Sequence, residues 1–222
     1  MKVIEPSIEL IYPVYADEIT VLKTLESIGR VCYKSEDKIN NDSCYSFIEK
    51  IIKAGHNSIL EHYTISIRVI CDRGVSHEIV RHRIASYAQE STRYCNYYLG
   101  KFGNEITVIK PCFWNTEDLE ESCTSLIKDE KMKVWKSAMD DIETYYMKLI
   151  SLGATPQEAR SVLPNSLKTE IIMTMNLREW RHFLNLRTSK AAHPQMQEIA
   201  SKILLYFKAW LPSIFKDIKE EI

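Results

Sequence analysis

A stretch of fourteen residues, Arg81 to Tyr94, combines side chains suited to an anionic ligand with a planar ring. It reads RHRIASYAQESTRY and holds three arginines, one histidine, two serines and two tyrosines. An arginine guanidinium is a planar fork of donors that fits phosphates and the edges of heterocycles. Tyrosine rings add flat faces. We therefore expect a binding site here.

The distribution of basic residues supports the same interpretation. No lysine occurs from Ala54 to Gly100, yet this window holds five arginines, namely Arg68, Arg73, Arg81, Arg83 and Arg93. Lysine is a flexible point charge suited to solvent, whereas arginine can bind bidentately. The alternative is that these arginines form buried salt bridges with Glu61, Glu78 and Glu90.

Other chemical motifs fail on spacing. His77 and His82 in HEIVRH are five residues apart, which places them about 140° apart around a helix, so they cannot share a metal. Gly100 and Gly103 form neither a Rossmann fingerprint nor a phosphate loop. Ser91 and Cys112 have no general base assigned by sequence. The sequence predicts no metal and no covalent nucleophile.

The composition predicts one globular domain over residues 1–222. The chain is 45% hydrophobic and 27% charged, with a formal net charge of -1. Near-neutrality counts against a duplex-DNA binder. The six cysteines form no Cys-x-x-Cys pair, and no apolar run is long enough for a signal peptide or a membrane span. We expect a cytoplasmic protein that does not bind membranes.

The elements before the stretch follow from capping residues and hydrophobic spacing. Asp17 should cap a helix over EITVLKTLESI that Gly29 ends, and Asn41 or Asp42 should cap a second helix that ends before Gly55. YTISIRVIC alternates as a half-buried strand that Gly74 should break. VSHEIVRHR should be a short helix, and IASYAQESTRY irregular or extended.

The second half of the chain is mostly helical in pattern. The longest helix should run from about Lys128 to Leu152, with Gly153 as its terminator. TEIIMTM is a second strand candidate. A capping box at Thr155, Pro156 and Glu158 should start a short helix that contains Arg160. Asn176 with Glu179 should start another helix. Two last helices should run from Pro194 to Trp210 and from Pro212 onward.

Five segments, in order along the chain, resemble the motifs of the flavin-dependent thymidylate synthases. They are GHNSILEH (55–62), Arg81-His82-Arg83 with Ser91 and Arg93-Tyr94, ARSVLP (159–164), MNLREW (175–180) and FLNLR (183–187). The resemblance implies a homotetramer of mixed α/β fold, with an antiparallel-containing sheet and packed helices. It implies reductive methylation of deoxyuridylate (dUMP) to thymidylate (dTMP), with FAD, 5,10-methylenetetrahydrofolate and NADPH.

Site residues follow from this resemblance, position by position. FAD contacts are implied for Ser58, Arg81, His82, Arg83, Gln89, Asn176, Leu177, Arg178 and His182. Contacts to dUMP are implied for Glu78, Ile79, Val80, Arg81, Gln89, Glu90, Ser91, Thr92, Arg93, Arg160 and Arg187. Arg187 would be catalytic, because a fixed guanidinium stabilises negative charge on the uracil carbonyls. Glu78, Gln89 and His182 depart from the commoner family pattern.

Two rival functions stay open at this point. Arginines interleaved with Tyr87, Tyr94, Tyr97 and Tyr98 could stack the bases of a single-stranded nucleic acid, although the near-zero net charge counts against this. A flavoprotein that binds the nucleotide without transferring a carbon unit would use the same arginines. Salt-dependent oligonucleotide binding would favour the first rival, and absent product would favour the second.

Overall fold

The computed structural model describes residues 1–114 and 123–220, which form strands and helices of a mixed α/β fold. The strands are β1 (Lys2–Ile4), β2 (Ser7–Tyr12), β3 (Thr64–Asp72), β4 (Ser86–Gln89), β5 (Thr107–Ile109) and β6 (Lys168–Asn176). The helices are α1 (Glu18–Tyr33), α2 (Ser43–Ala54), α3 (Arg73–Ile79), α4 (Cys123–Ser151), α5 (Pro156–Ala159), α6 (Leu177–Arg187), α7 (Pro194–Trp210) and α8 (Pro212–Phe215).

The larger sheet has four strands in the order β2-β3-β6-β4, and β1 pairs with β5 in a second, parallel pair. The fold class predicted from the sequence is thereby confirmed.

The chain groups into two compact units, one of Met1–Ser7, Ile70–Val80 and Ala88–Ile171, and one of Ile8–Val69, Arg81–Tyr87 and Ile172–Ile222. The expectation of one domain over residues 1–222 stays a prediction. Among the described residues, no helix combines the length and apolar character needed to cross a membrane.

The first unit is built around the long helix α4. Its Met139 and Tyr146 side chains are buried together with Tyr97, Ile106 and Val108. The ring of Tyr146 packs in this core, and its hydroxyl oxygen accepts a hydrogen bond from the Tyr97 backbone amide at 3.4 Å. These contacts stabilise the segment that follows β4.

The second unit has an aromatic core on α6, α7 and α8. The ring of Trp180 lies edge-on to the rings of Phe183 and Phe207, with centroids 5.7 and 5.1 Å away, and Phe207 lies 4.8 Å from Phe215. Trp180 Nε1 also donates to the carbonyl oxygen of Ile65 at 3.1 Å. Edge-to-face rings add to the burial of apolar area, so these rings stabilise the packing of α6 on α7, and the Trp180 hydrogen bond links α6 to β3.

Several predicted helix and strand ends are wrong. Gly29 does not end α1 but lies buried inside it, and the helix runs on to Tyr33, where Lys34 takes the left-handed conformation at φ 46°. Gly74 does not break β3 but lies inside α3, because Asp72 both ends the strand and caps the helix. The helix predicted over VSHEIVRHR therefore starts earlier, at Arg73, and ends at Ile79, before the Arg81-His82-Arg83 motif.

Two strands run into helices with no intervening loop. Asp72 ends β3, and its Oδ1 accepts a hydrogen bond from the Val75 amide at 2.8 Å. Asn176 ends β6, and its Oδ1 accepts a hydrogen bond from the Glu179 amide at 2.9 Å. In both cases a short polar side chain satisfies an amide that the first helical turn leaves unpaired. The start of each helix is thus fixed directly by a strand.

Candidate functional site

A cavity of about 430 Å³ lies at the start of α6 in the second unit. Three of its lining residues are predicted FAD contacts, namely Asn176, Arg178 and His182. The others are Glu61, Ile84 and Glu179. Arg178 and His182 are four residues apart in the helix, so both side chains lie on one face. The structure thus places these three predicted residues around one concave surface.

Polar groups with defined roles form the walls of this cavity. Arg178 Nη1 donates to Glu61 Oε1 at 2.6 Å, and both side chains are largely exposed. The Asn176 side chain uses its oxygen for the helix cap, so its amide NH₂ is the group it can offer to a ligand. A flavin ring presents carbonyl and ring-nitrogen acceptors, so the guanidinium and NH₂ donors fit it chemically.

His82 is buried beside the cavity residues of α6. Its Nε2 accepts a hydrogen bond from Arg187 Nε at 3.0 Å, and its Nδ1 lies 3.5 Å from Glu179 Oε1. Its ring contacts Phe183 edge-on, with centroids 4.8 Å apart, and its carbonyl oxygen accepts from the Tyr87 hydroxyl at 2.7 Å. The motif histidine is therefore an internal contact to the predicted catalytic arginine.

Burial governs the ionisation of the groups around His82. Loss of solvent raises the pKa of the Glu179 carboxyl, which the nearby His182 and Arg178 only partly oppose. Burial, with a smaller contribution from Glu179, raises the pKa of Tyr87 to about 12. Tyr87 is therefore a hydrogen-bond donor at neutral pH and carries no charge there.

His82, Glu179 and His182 together form a group of metal-ligand type that the sequence did not reveal. One ligand atom from each lies within 4.8 Å of the others. However, Arg187 donates to His82 Nε2, and arginine remains positively charged at all accessible pH. A cation bound here would lie in the field of this guanidinium. The arrangement fits a hydrogen-bonded network better than a metal site.

The remaining predicted FAD residues of this unit differ in accessibility. Ser58 lies in the exposed part of a 3₁₀ turn, Asn57–His62, and Arg81 and Arg83 are exposed on either side of His82. Leu177 is fully buried, and its amide donates to the Tyr63 carbonyl at 2.9 Å. Neither its side chain nor its amide can therefore reach a ligand without rearrangement, and its assignment stays a prediction.

Most predicted dUMP residues belong to the first unit. Glu78, Ile79 and Val80 form the end of α3, where Ile79 is buried and Val80 is exposed. The Gln89 amide donates to Ser76 Oγ at 2.9 Å and to Thr169 Oγ1 at 3.2 Å, which directs its carbonyl oxygen away from these hydroxyls. Gln89 is thus oriented by two neighbours that the sequence did not single out.

The segment after β4 holds the other members of this set. Glu90 accepts from Lys168 Nζ at 2.8 Å and from the Tyr97 hydroxyl at 3.0 Å, so it is engaged within the unit. Arg93 Nε donates to Gln157 Oε1 at 2.9 Å. Ser91 is half-buried, Thr92 is buried and Arg160 is exposed just after α5. Arg93 and Arg160 are the accessible cations of this group.

Comparisons with known proteins point to one family. The model of the family described as Thy1, thymidylate synthase complementing protein, matches residues 17–213. The chain is 35% identical over 197 residues to a flavin-dependent thymidylate synthase of Geobacter sulfurreducens, covering 85% of this chain and 78% of the relative. It is 34% identical over 190 residues to one of Pyrococcus furiosus, covering 85% and 72%.

A solved structure is similar over nearly the whole chain. It is a UMP/dUMP methylase, PolB, from Streptomyces cacaoi bound with 5-Br dUMP. The TM-score is 0.77 at 22% identity, and the match covers 97% of this chain and 96% of the other. At this identity the likeness bears on the fold, which it supports along its full length.

Proposed function

Because the chain belongs to the flavin-dependent thymidylate synthase family, we propose that it converts dUMP to dTMP by reductive methylation. 5,10-Methylenetetrahydrofolate would donate the methylene group and leave as tetrahydrofolate, and NADPH would be the reductant. The observation that carries the proposal is the cavity at the start of α6, where Asn176, Arg178 and His182 meet. Its donors suit the carbonyl and ring-nitrogen acceptors of a flavin.

FAD is the cofactor that these residues would hold. Asn176 and Arg178 would donate to the acceptors of the flavin ring, and the exposed Arg81 and Arg83 would bind the diphosphate. Ser58, His82, Gln89, Leu177 and His182 are carried over from the family motifs as further contacts. Bound there in its reduced form, FAD would supply the hydride for the pyrimidine.

The nucleotide would be held by the accessible cations and amides of the first unit. Arg93 and Arg160 would bind the phosphate, and Ser91 would add a hydroxyl contact. Gln89, whose NH₂ is fixed by Ser76 and Thr169, would present its carbonyl oxygen to the uracil N3–H. Glu78, Ile79, Val80, Arg81, Glu90 and Thr92 complete the set carried over from the family motifs.

Arg187 would supply the electrostatic catalysis. Addition of a hydride at C6 leaves negative charge on the uracil carbonyls, and a guanidinium beside them stabilises that charge without titrating. The hydrogen bond from its Nε to His82 fixes the plane of this guanidinium before substrate arrives. Ser91 is proposed as a binding hydroxyl and not as a nucleophile, because direct hydride transfer needs no covalent adduct with the protein.

The test is formation of dTMP from dUMP, methylenetetrahydrofolate, NADPH and added FAD, with FAD or NADPH omitted in parallel. Product that depends on both omitted components supports the proposal. Absence of product from protein that binds FAD and dUMP would contradict it and favour the nucleotide-binding flavoprotein. Oligonucleotide binding that falls steeply with salt, without a yellow chromophore, would favour the single-strand binder instead.

A homotetramer in the cytoplasm is part of the same proposal. Family members build each active site from several subunits, and each unit of this chain carries part of the proposed residues. Light scattering on the purified chain, with and without FAD, measures the assembly directly. A monomer that is fully active would contradict the tetramer. In a separate assay, replacing NADPH with NADH measures the coenzyme preference.

A further inference from the structure

Three side chains of the second unit lie in a row from an anion to a cation. Glu179 Oε1 is 3.5 Å from His82 Nδ1, and His82 Nε2 is 3.0 Å from Arg187 Nε. Glu179 and His82 are 8% and 6% exposed. We propose that Glu179 is a positioning residue, which holds His82 in its Nδ1–H tautomer and thereby fixes the Arg187 guanidinium. This role rests on the function proposed above.

The tautomer follows from the donors and acceptors present. Arginine has only donors, so the His82 nitrogen that receives Arg187 Nε–H must carry a lone pair. The ring proton of neutral His82 therefore sits on Nδ1, on the side of the Glu179 carboxylate. The other tautomer would direct two N–H groups at each other. An imidazolium would place a second positive charge against Arg187, so His82 is neutral.

The position of Glu179 gives this proton an acceptor where little water is present. At 3.5 Å the contact is a long electrostatic one, and its strength depends on the low-dielectric surroundings. Without the carboxylate, the energy difference between the two tautomers would fall, and the Nε2 lone pair would be less available to Arg187. Carboxylates that orient an imidazole in this way also act at metal and catalytic sites.

Other groups around His82 restrict its movement. The ring rests edge-on against Phe183, and the Tyr87 hydroxyl holds the backbone carbonyl. The charged and titratable neighbours of Glu179 are His182, Arg178 and Tyr87, in addition to His82. Among these described groups, Glu179 is the carboxylate that lies beside His82 Nδ1. Through His82, the orientation of Arg187 is thus linked to the buried Glu179 carboxylate.

The decisive variant is Glu179→Gln, which keeps the side-chain shape and removes the charge. We expect kcat to fall about tenfold, with the Kd values for FAD and dUMP changed less than about threefold. Glu198→Gln, which removes an i,i+4 partner of Lys202 on α7, is the control and should leave kcat unchanged. An unchanged kcat in Glu179→Gln would overturn the proposal.

Nitrogen NMR of His82 tests the proposal without enzymatic turnover. Wild-type protein should give the shifts of a neutral Nδ1–H imidazole at the pH of the activity assay, and Glu179→Gln should give a mixture of tautomers. An imidazolium or an Nε2–H tautomer in wild type would overturn it. If the protein makes no dTMP, this measurement still decides the role of Glu179, so the two proposals fail separately.

A metal ion is the competing occupant of the same three side chains. The purified wild-type protein would be incubated with Zn²⁺, passed through gel filtration and analysed for bound metal. We expect less than about 0.1 ion per chain, because the Arg187 charge opposes a cation at His82. One zinc per chain that is lost in Glu179→Gln would overturn the positioning role.

Discussion

Gly29 of α1 lies so close to the ring of Phe47 on α2 that an added Cβ would stand 2.6 Å from Phe47 Cζ and 2.9 Å from Ile59 Cδ1. Real Cβ atoms do not approach other side-chain atoms so closely. The two helices can pack at this distance because Gly29 has no side chain. This explains why a glycine lies inside a helix, where it otherwise costs about 1 kcal/mol relative to alanine.

Gly29→Ala should therefore destabilise the protein, although alanine is the better helix former. Overpacking costs about 1–3 kcal/mol, which outweighs the gain in helix propensity, so we expect a net loss of about 1 kcal/mol by urea unfolding. Gly100→Ala is the matched control, because Gly100 has no atom within 4 Å of its added Cβ. A more stable Gly29→Ala would contradict the close packing of α1 on α2.

A buried ion pair on α1 should be sensitive to loss of one partner. Glu26 is 1% exposed and accepts from Arg30 Nη2 at 2.6 Å and from Ser43 Oγ at 2.9 Å. Arg30→Met leaves this carboxylate buried without its cation, so we expect a loss of about 3 kcal/mol. The double variant Glu26→Leu with Arg30→Met should lose less, as measured in a denaturant double-mutant cycle. Additive losses would show that the pair is not coupled.

Asn176 should have separable structural and cofactor roles. Asn176→Asp keeps the oxygen that caps α6 and removes the NH₂ donor, so FAD affinity should fall about tenfold with little change in Tm. Asn176→Ala removes both and should also cost about 1 kcal/mol of stability. Asp17→Ala, which removes only the cap of α1, is the control. Equal FAD affinity in wild type and Asn176→Asp would remove Asn176 from the cofactor site.

Arg187→Ala should lower turnover while FAD stays bound. Loss of one preorganised donor to a developing charge costs about 10²–10³-fold in kcat, and the visible flavin spectrum reports occupancy. Arg187→Lys keeps the charge but loses the Nε that contacts His82, so its kcat should lie between those of wild type and Arg187→Ala. If kcat of Arg187→Ala equalled that of wild type, Arg187 would have no catalytic role.

An acid-dependent contribution to stability is expected at Asp217. Hydrogen bonds from Arg181, at 2.8 and 2.7 Å, outweigh burial and lower the pKa of Asp217. The resulting stability is complete above the unfolded pKa, about 3.9, and is lost as pH falls through the lower folded pKa. Wild type should therefore exceed Asp217→Asn in Tm at pH 7, by a difference that shrinks below about pH 4. A pH-independent difference would exclude this ionisation as its cause.

Local signals predicted the helices better than the strands. α7 has the predicted bounds, Pro194 to Trp210, and the Thr155–Glu158 capping box is present. β1 and β5 were not predicted, because each has three residues and gains its hydrogen bonds from the other, more than a hundred positions away. Pairing at that separation leaves no periodic signal in either segment.

The same distinction applies to the candidate site. Motif order predicted Asn176, Arg178 and His182, which line one cavity. It gave no function to Glu61, which pairs with Arg178 across 117 positions of sequence. It also gave none to Glu179, which the sequence indicated only as a helix-start residue and which lies beside His82. Such roles depend on side chains from separate segments meeting in space.

The loopless junctions at Asp72 and Asn176 restrict how this chain can vary in length. One residue inserted into β6 would reverse the alternation of its side chains and displace the cap from the helix start. Substitutions can be absorbed one side chain at a time, but an insertion or deletion would redirect every residue of α6 at once. Viable homologues and engineered variants should therefore accept indels elsewhere and keep these two junctions at constant length.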